Sequence, residues 1–370
     1  MIVMLFGVRS GRVMRKAAAT MRENGMQMKE RAMGAMAGLA LGDALGMPTQ
    51  SMSAEQICRY YGGSITKLMN AVPQQPIAPN MKAGAVTDDT EQAFVLAQRL
   101  IDDNGCIDNT RYAHDLLQWE VAMKAKGSLD LLGPSTKAAL QKLTEDVSLE
   151  ETGRFGTTNG GAMRATPVGI AFRPGQALAD AAWRSCVVTH NTVQGIEATT
   201  LVAAAVSFAI EGERDFLHLA VEFVQKLPQR GNWSAKASVL ARVRYFMNWA
   251  EADGCRLNDD EFAAVLQRDC GTSVESNESV AAAFAIAARF FDDPTHALCF
   301  AASIGGDTDT IAALAGAMLG AWHGMQGLDK TMLDQVLSQL AEDNHLDLVG
   351  TVTSLSALRD DSALNDANIV

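Results

Sequence analysis

Apolar residues recur at steps of three and four positions over most of the chain, which is the spacing of one helix face. The first clear case is residues 29–45. The same spacing predicts helices at 54–60, 87–103, 111–124, 135–143, 180–188, 192–210, 216–227, 234–252, 259–267, 279–289, 311–322 and 329–344. Residues 29–344 contain no run of alternating strands and no internal repeat. The pattern therefore predicts an all-α fold with a single domain of many helices.

Two of these helices carry many small residues. Gly34, Gly38 and Gly42 repeat every four positions in the first helix, which places them on one face and suits close contact with another helix. Residues 311–322 are mostly Ala, Gly, Met and Leu, the composition of a buried helix packed closely on its neighbours.

An acidic stretch stands directly ahead of that second helix. Asp307, Asp309 and Thr310 place three oxygen-bearing side chains within four positions, more than one helix N-cap requires. Carboxylate and hydroxyl oxygens suit a hard cation, although an N-cap with surplus oxygens remains the alternative. An EF-hand loop is excluded, since its glycine and later glutamate are absent. An aspartyl phosphatase signature also fails, because Ile311 occupies the position that needs Thr.

A second acidic helix start lies at Thr87, Asp88 and Asp89. Thr87 can act as the N-cap, and Asp in a first turn is common because it complements the helix dipole. Two such starts in one chain nevertheless favour a shared metal centre over two coincidences.

A glycine-rich polar loop spans residues 157–167. Loops of this kind can present backbone N–H groups and an arginine to phosphates, although most glycine loops are plain turns. The candidate substrate-binding residues of this loop are Asn159, Gly160, Gly161, Met163 and Arg164. His190, at a helix junction, is a further candidate for substrate contact, and its alternative role is a helix cap or a satisfied core group.

Composition narrows the function classes. The net charge of −12 and a pI near 5.0 argue against a nucleic-acid-binding surface. The six cysteines form no close pair, which excludes a zinc knuckle or redox dithiol and is typical of reduced thiols in a cytoplasmic protein. No apolar run reaches the roughly 18 residues of a membrane span, so no membrane partner is expected.

The ends of the chain differ from its centre. Residues 1–28 are rich in Arg and poor in acids, which is compatible with a transit peptide but favours a flexible or mis-assigned N-terminal extension. The domain is expected to cover residues 29–345, and residues 346–370 are expected to form a polar C-terminal tail.

The order and spacing of the motifs resemble the ADP-ribosylglycohydrolase family, which includes dinitrogenase-reductase-activating glycohydrolase. The matching segments are 38–46 (GLALGDALG), 87–90 (TDDT), 159–164 (NGGAMR), 189–190 (TH) and 305–310 (GGDTDT). The resemblance implies an orthogonal all-α bundle and a hydrolase with a binuclear Mg²⁺ or Mn²⁺ centre. It implies that one side of that centre is formed by Thr87, Asp88 and Asp89, and the other by Asp307, Asp309 and Thr310, with Asp309 bridging.

The same resemblance assigns the 159–164 loop to the ribose and diphosphate and places His190 near the cleft. It implies a small ribosyl or ADP-ribosyl substrate, with an ADP-ribosylated protein as a further possibility. The proline-bearing loop 72–84 could narrow the cleft and favour small molecules.

One position departs from the family pattern. Gln50 stands where family members commonly carry Glu, seven residues after the Asp of the Gly-Asp motif. Glutamine can coordinate a metal but cannot act as a base near neutral pH. Asp88, Asp309 and Gln50 are therefore the candidate catalytic residues. The alternative function is a regulatory protein that binds ADP-ribose or a nucleotide with impaired hydrolysis.

Overall fold

The computed structural model describes the backbone of residues 3–126, 133–145 and 147–367, and the side chains of residues 25–125, 133–143, 145 and 147–360. Within these ranges the secondary structure is helical, without β-strands, and the only β pairing consists of three isolated bridges. The all-α prediction is confirmed.

The helices are α1 Val3–Gly46, α2 Ala54–Tyr61, α3 Asp88–Asp102, α4 Asn109–Lys126, α5 Pro134–Thr144, α6 Leu149–Thr152, α7 Gly160–Met163, α8 Thr166–Ala171, α9 Gln176–His190, α10 Val193–Glu211, α11 Phe216–Lys226, α12 Val239–Ala252, α13 Asp259–Val265, α14 Ser276–Arg289, α15 Pro294–Ala301, α16 Thr308–His323, α17 Lys330–Glu342 and α18 Leu348–Ala367. Short 3-10 turns occupy Met47–Thr49, Gly254–Arg256 and Met325–Gly327, and a π-helical turn occupies Leu266–Cys270.

The predicted elements differ from the structure mainly in the short helices. The predicted loop 157–167 contains α7 and the start of α8, which are too brief to show a periodic pattern. Loop 72–84 is non-helical, as predicted. The segment predicted as a C-terminal tail contains α18, whose Leu348, Val352 and Leu355 are buried in the core.

The centre of the molecule is the pair α1 and α16, which run antiparallel at backbone contact. A Cβ atom added to Gly38 would lie 2.1 Å from the carbonyl oxygen of Gly316, and one added to Gly34 would lie 2.1 Å from that of Gly320. Gly42 faces Ala312 at the same distance. Only glycine permits this approach, because a side chain would overlap the opposite backbone. The predicted close helix contact is therefore present.

Helix α10 is the most apolar helix of the core. By length and composition it could cross a membrane, but 89% of its apolar window is buried within the protein. The expectation that no segment is long and apolar enough for a membrane span is therefore wrong for α10. Burial against other helices accounts for its composition, as in the core of a large domain.

This packing brings the first residues of α16 and of α3 close together. The α1–α16 pair carries the end of α1 to the start of α16, where the Thr308 hydroxyl donates to the carbonyl of Gly46 at 2.9 Å. Helix α3 begins beside them, since the carboxylate of Asp43 near the end of α1 accepts its first N–H groups.

Candidate functional site

The two acidic helix starts meet in the interior. Asp88 and Asp89 open α3, while Asp307 and Asp309 stand at the start of α16, and all four are at most 5% exposed. The Thr310 hydroxyl donates to Asp89 Oδ2 at 3.3 Å across the gap between the helices. Neither Asp307 nor Thr87 uses its side chain to cap its own helix. Surplus capping therefore does not explain these oxygens.

Asp43 fixes the start of α3. Its carboxylate accepts hydrogen bonds from the N–H groups of Thr87 and Thr90, at 2.9 and 3.2 Å, and from their hydroxyls, at 2.8 and 2.5 Å. A carboxylate from α1 thus takes the place of a local N-cap and complements the dipole of α3. Burial raises the pKa of Asp43 to about 6, although these hydrogen bonds oppose the shift.

The clustered carboxylates raise one another's pKa. Burial is the largest cause for Asp88, Asp89, Asp307 and Asp309, whose pKa values are all raised. Repulsion from neighbouring carboxylates adds to the shift at Asp88, Asp89 and Asp309. Both carboxylate oxygens of Asp309 and one of Asp89 are buried without a hydrogen-bond partner. Such an arrangement is costly unless a cation neutralises it.

Asn159 faces this cluster from the opposite wall. Its amide donates to Asp307 Oδ2 at 2.5 Å and to the Ser279 hydroxyl at 2.9 Å. A cavity of about 110 Å³ adjoins the cluster, and its wall includes Asp88, Asp307, Thr310 and Asn159. The other lining residues are Gln50, Ser51, Ile77, Gly133, Pro134, Thr136, Thr158, Gly160, Met163 and Val274. Thr87, Asp89 and Asp309 are buried and do not line the cavity.

Arg164 does not face the cavity. It is completely buried, and its guanidinium donates to Gln92 Oε1 at 2.7 Å and to the Thr189 hydroxyl. Gln92 in turn donates to Asp88 Oδ2 at 3.1 Å. In this structure Arg164 therefore orients Asp88 through Gln92, and the expected contact with a phosphate would require it to move.

His190 and Gly161 also lie away from the cavity. His190 is fully buried between the hydroxyls of Thr158 and Thr189, at 2.9 and 2.8 Å. Burial, with a smaller effect of Arg164, lowers its pKa well below 6.5, so the imidazole is neutral. It supports Thr158, which does line the cavity. Among the substrate-binding candidates, Asn159, Gly160 and Met163 line the cavity, while Gly161, Arg164 and His190 do not.

Gln50 lies on the cavity wall beside Asp307, and its Oε1 atom is buried without a partner. An acceptor with no donor is the arrangement expected of a metal or substrate ligand. Within the described residues, no three His, Cys, Asp or Glu side chains already surround one point as a metal cage. The unpartnered oxygens of Gln50, Asp89 and Asp309 nevertheless form a donor set of the kind that hard cations prefer.

Asp43 and Gln92 were missed as functional residues by the sequence analysis. Asp43 lies in the segment 38–46, and a charged residue among the small apolar residues of a buried helix could have indicated its role. Gln92 gave no signal, because one polar residue in the second turn of a helix is ordinary.

Comparisons with known proteins identify the family of this chain. A model of the ADP-ribosylglycohydrolase family matches residues 24–360. The chain is 30% identical over 338 residues to the uncharacterized protein YegU of Escherichia coli (strain K12), covering 89% of this chain and 97% of that one. It is 26% identical over 324 residues to the ADP-ribosylarginine hydrolase Tri1 of Pseudomonas putida (strain GB-1), covering 84% and 75% of the two chains.

One further relative and one solved structure indicate the same family and fold. The ADP-ribosylhydrolase ARH3 of Bos taurus is 25% identical over 316 residues, which cover 79% of this chain and 85% of that one. A solved structure titled "ADP-ribosylglycohydrolase-related protein complex" superposes with a TM-score of 0.67 at 22% identity, covering 90% of this chain and 99% of that one, and shows the shared fold. The predicted family is confirmed: this chain belongs to the ADP-ribosylglycohydrolase family, and it is a hydrolase of glycosidic bonds.

Proposed function

We propose that this protein is a divalent-cation-dependent glycohydrolase that cleaves the glycosidic bond to the ribose of an ADP-ribosyl or related ribosyl compound. The observation that carries the proposal is Asp309, a fully buried carboxylate with two unpartnered oxygens at the meeting point of two acidic helix starts. The relatives ARH3 and Tri1, named as ADP-ribosylhydrolase and ADP-ribosylarginine hydrolase, support the substrate class.

The side chains that would hold two Mg²⁺ or Mn²⁺ ions come from both helix starts. They are Thr87, Asp88, Asp89, Asp307, Asp309 and Thr310. When bound, such ions supply positive charge that orients a ribose diol and lowers the pKa of bound water. They would also allow the four buried carboxylates to remain ionised together.

The protein's own groups do the rest. Asn159 holds Asp307 Oδ2, and Gln92 holds Asp88 Oδ2, so each carboxylate keeps one fixed orientation. Asp88 is the carboxylate placed to accept a proton from water, because it lines the cavity and because burial and the neighbouring carboxylates raise its pKa well above 3.8. Anionic oxygens close to the anomeric carbon stabilise the oxocarbenium character of the transition state.

The loop at residues 72–84 supports a small-molecule substrate. Gln75 is buried and donates to the carbonyls of Met47 and Gln50, at 3.2 and 3.4 Å, while its Oε1 accepts the N–H of Ile77. These bonds hold Ile77 on the cavity wall. A fixed loop at that wall narrows the entrance and disfavours an intact protein surface.

A second candidate function rests on Gln50. An amide in place of the usual carboxylate cannot take a proton, so the site could bind ADP-ribose or a nucleotide and not turn it over. The two functions give opposite results for the substitution Gln50→Glu. If the parent is a binding protein, Gln50→Glu should create hydrolysis that the parent lacks. If the parent is an active hydrolase, it should already hydrolyse substrate with Gln50 in place.

The deciding experiment is release of ribose or ADP-ribose from a panel of ribosyl compounds and ADP-ribosylated proteins, with Mg²⁺, Mn²⁺ or chelator. Parent protein is compared with Gln50→Glu and with Asp307→Ala combined with Asp309→Ala. We expect cation-dependent turnover that the double variant loses, fastest on a small substrate. Binding of ADP-ribose with no turnover by the parent contradicts the hydrolase proposal and supports the regulatory one.

A further inference from the structure

A five-residue segment, residues 271–275, connects the two loops of the candidate site. The carbonyl of Thr272 accepts the N–H of Asp307 at 2.7 Å, and the carbonyl of Val274 accepts the N–H of Asn159 at 2.9 Å. We name residues 271–275 the strap. Because both bonds join backbone to backbone, the strap sets the distance between the main chains of Asp307 and Asn159. The side chains of these two residues are also hydrogen-bonded to each other.

One arginine joins the two ends of the strap. Arg242 Nε donates to the carbonyl of Asn277 at 2.9 Å, just after the strap. Its Nη2 donates to the carbonyls of Asp269 and Cys270, just before the strap, the first of them at 3.2 Å. The carbonyls of Asp269 and Cys270 lie at the C-terminal end of a π-helical turn, where the negative end of the helix dipole favours a cation.

The guanidinium of Arg242 is committed to these backbone carbonyls. Among the described residues, no carboxylate forms an ion pair with it. Arg242 is not among the residues lining the cavity, so its influence on the cavity passes through the strap. Its planar fork makes three bonds in fixed directions, which a lysine could not reproduce.

We propose that Arg242 is a positioning residue for the candidate site: by joining the ends of the strap it fixes the spacing of Asp307 and Asn159. The proposal rests on the proposed function for the role of Asp307. It goes beyond that function by assigning a role to a residue of α12, which contributes nothing to the cavity wall.

The strap remains attached without Arg242, so the role can be tested in folded protein. Glu278 accepts hydrogen bonds from the N–H and hydroxyl of Ser273, at 3.2 and 2.6 Å. Glu275 accepts from Lys236 and from the Thr157 hydroxyl, each at 2.9 Å. Removing the guanidinium therefore loosens the spacing of Thr272 and Val274, while these side-chain contacts keep the strap attached to the folded protein.

The test compares Arg242→Met and Arg242→Gly with Arg244→Met in the full chain. Arg244 is an exposed residue two positions along the same helix, and it provides the matched control. The first readout is Mn²⁺ affinity, from the electron paramagnetic resonance signal of free Mn²⁺. We expect both Arg242 variants to bind Mn²⁺ about three- to tenfold more weakly, because loss of a direct partner of a metal ligand costs about tenfold or more and Arg242 acts one step further away, through the strap. Arg244→Met should bind like the parent.

The second readout is chemical rescue. Free guanidinium ion, at concentrations well below those that unfold the protein, should restore Mn²⁺ affinity to Arg242→Gly and leave the parent and Arg244→Met unchanged. A general loss of structure would not respond to the ion. Turnover, where the parent shows it, should follow Mn²⁺ affinity.

The two proposals fail in different ways. A parent that binds Mn²⁺ and hydrolyses nothing contradicts the proposed function, and the Mn²⁺ comparison still decides the role of Arg242. Mn²⁺ affinity within twofold of the parent in both Arg242 variants overturns the positioning role, as does a weakened affinity that guanidinium ion does not restore. A parent that binds no Mn²⁺ overturns both.

Discussion

Gly38 and Gly316 touch through their backbones: a Cβ atom on either one would lie 2.1 Å from the carbonyl oxygen of the other. The contact is part of a row along α1 and α16 that ends at Gly46 and Thr308, beside the acidic site. The distance between these two helices therefore decides where Asp43 and Asp309 lie relative to each other.

The first prediction concerns this contact. Gly316→Ala should lower the free energy of unfolding by about 2–3 kcal/mol, because the added methyl group forces the helices apart, which outweighs the higher helix propensity of alanine. Thermal or urea unfolding measures the change. The control is Gly25→Ala in the same α1 helix, where a Cβ would meet nothing within 4 Å. We expect Gly25→Ala to be neutral or slightly stabilising, and equal losses in both variants would contradict the packing argument.

The second prediction concerns pH and metal removal. The carboxyl pKa values of the site are raised in the folded protein, so the folded state binds more protons than the unfolded state above the ordinary pKa of 3.8. The stability of metal-free protein should fall as pH rises through this window, which for Asp43 extends from 3.8 to about 6.

Added Mg²⁺ or Mn²⁺ should remove this penalty, because it neutralises the ionised carboxylates. The increase in melting temperature on adding cation should therefore be larger at about pH 8 than at about pH 5. Differential scanning fluorimetry with cation or chelator measures it. A gain that is the same at both pH values, or larger at the lower one, is incompatible with a carboxylate cluster that binds the ion.

The third prediction concerns Asp309 alone. Asp309→Asn should stabilise the metal-free protein near neutral pH by on the order of 1–3 kcal/mol, because it removes a buried charge without a hydrogen-bond partner and keeps the shape of the side chain. The same variant should lose the stabilisation by added cation and all cation-dependent turnover. This exchange of stability for activity is common at functional sites. A destabilised metal-free variant would show that the carboxylate has a structural partner.

The fourth prediction concerns the contact from Arg164 through Gln92 to Asp88. Arg164→Met and Gln92→Leu should each lower kcat about tenfold or more, since either change removes the fixed orientation of Asp88 Oδ2. The double variant should lose little more than either single one, because both residues act through one hydrogen bond.

Steady-state kinetics of the four proteins form the cycle for this fourth prediction. Arg184→Met, an exposed arginine on α9, is the control and should retain parental kcat. Additive losses would mean that Arg164 has a separate role, such as the phosphate contact that the sequence analysis expected.

Much of the architecture was determined by the sequence. Helical spacing of apolar residues predicted the all-α fold, since a helix must bury one face in water. The four-residue glycine repeat in α1 predicted a close contact because only glycine allows backbones to touch. The two acidic helix starts predicted the oxygen-rich cluster, since Asp and Thr there exceed what capping needs. Short helices such as α7 were not predicted, because four residues are too few to show a repeat of 3.6 residues.

Tertiary structure alone decided which of these residues face the cavity. Arg164 lies in a motif with Asn159, yet Asn159 reaches Asp307 while Arg164 points into the core. Arg242 lies about 65 residues from Asp307 and acts on it through the strap. Sequence spacing specifies faces within one helix, but contact between elements depends on how the helices pack, and no local pattern encodes that distance.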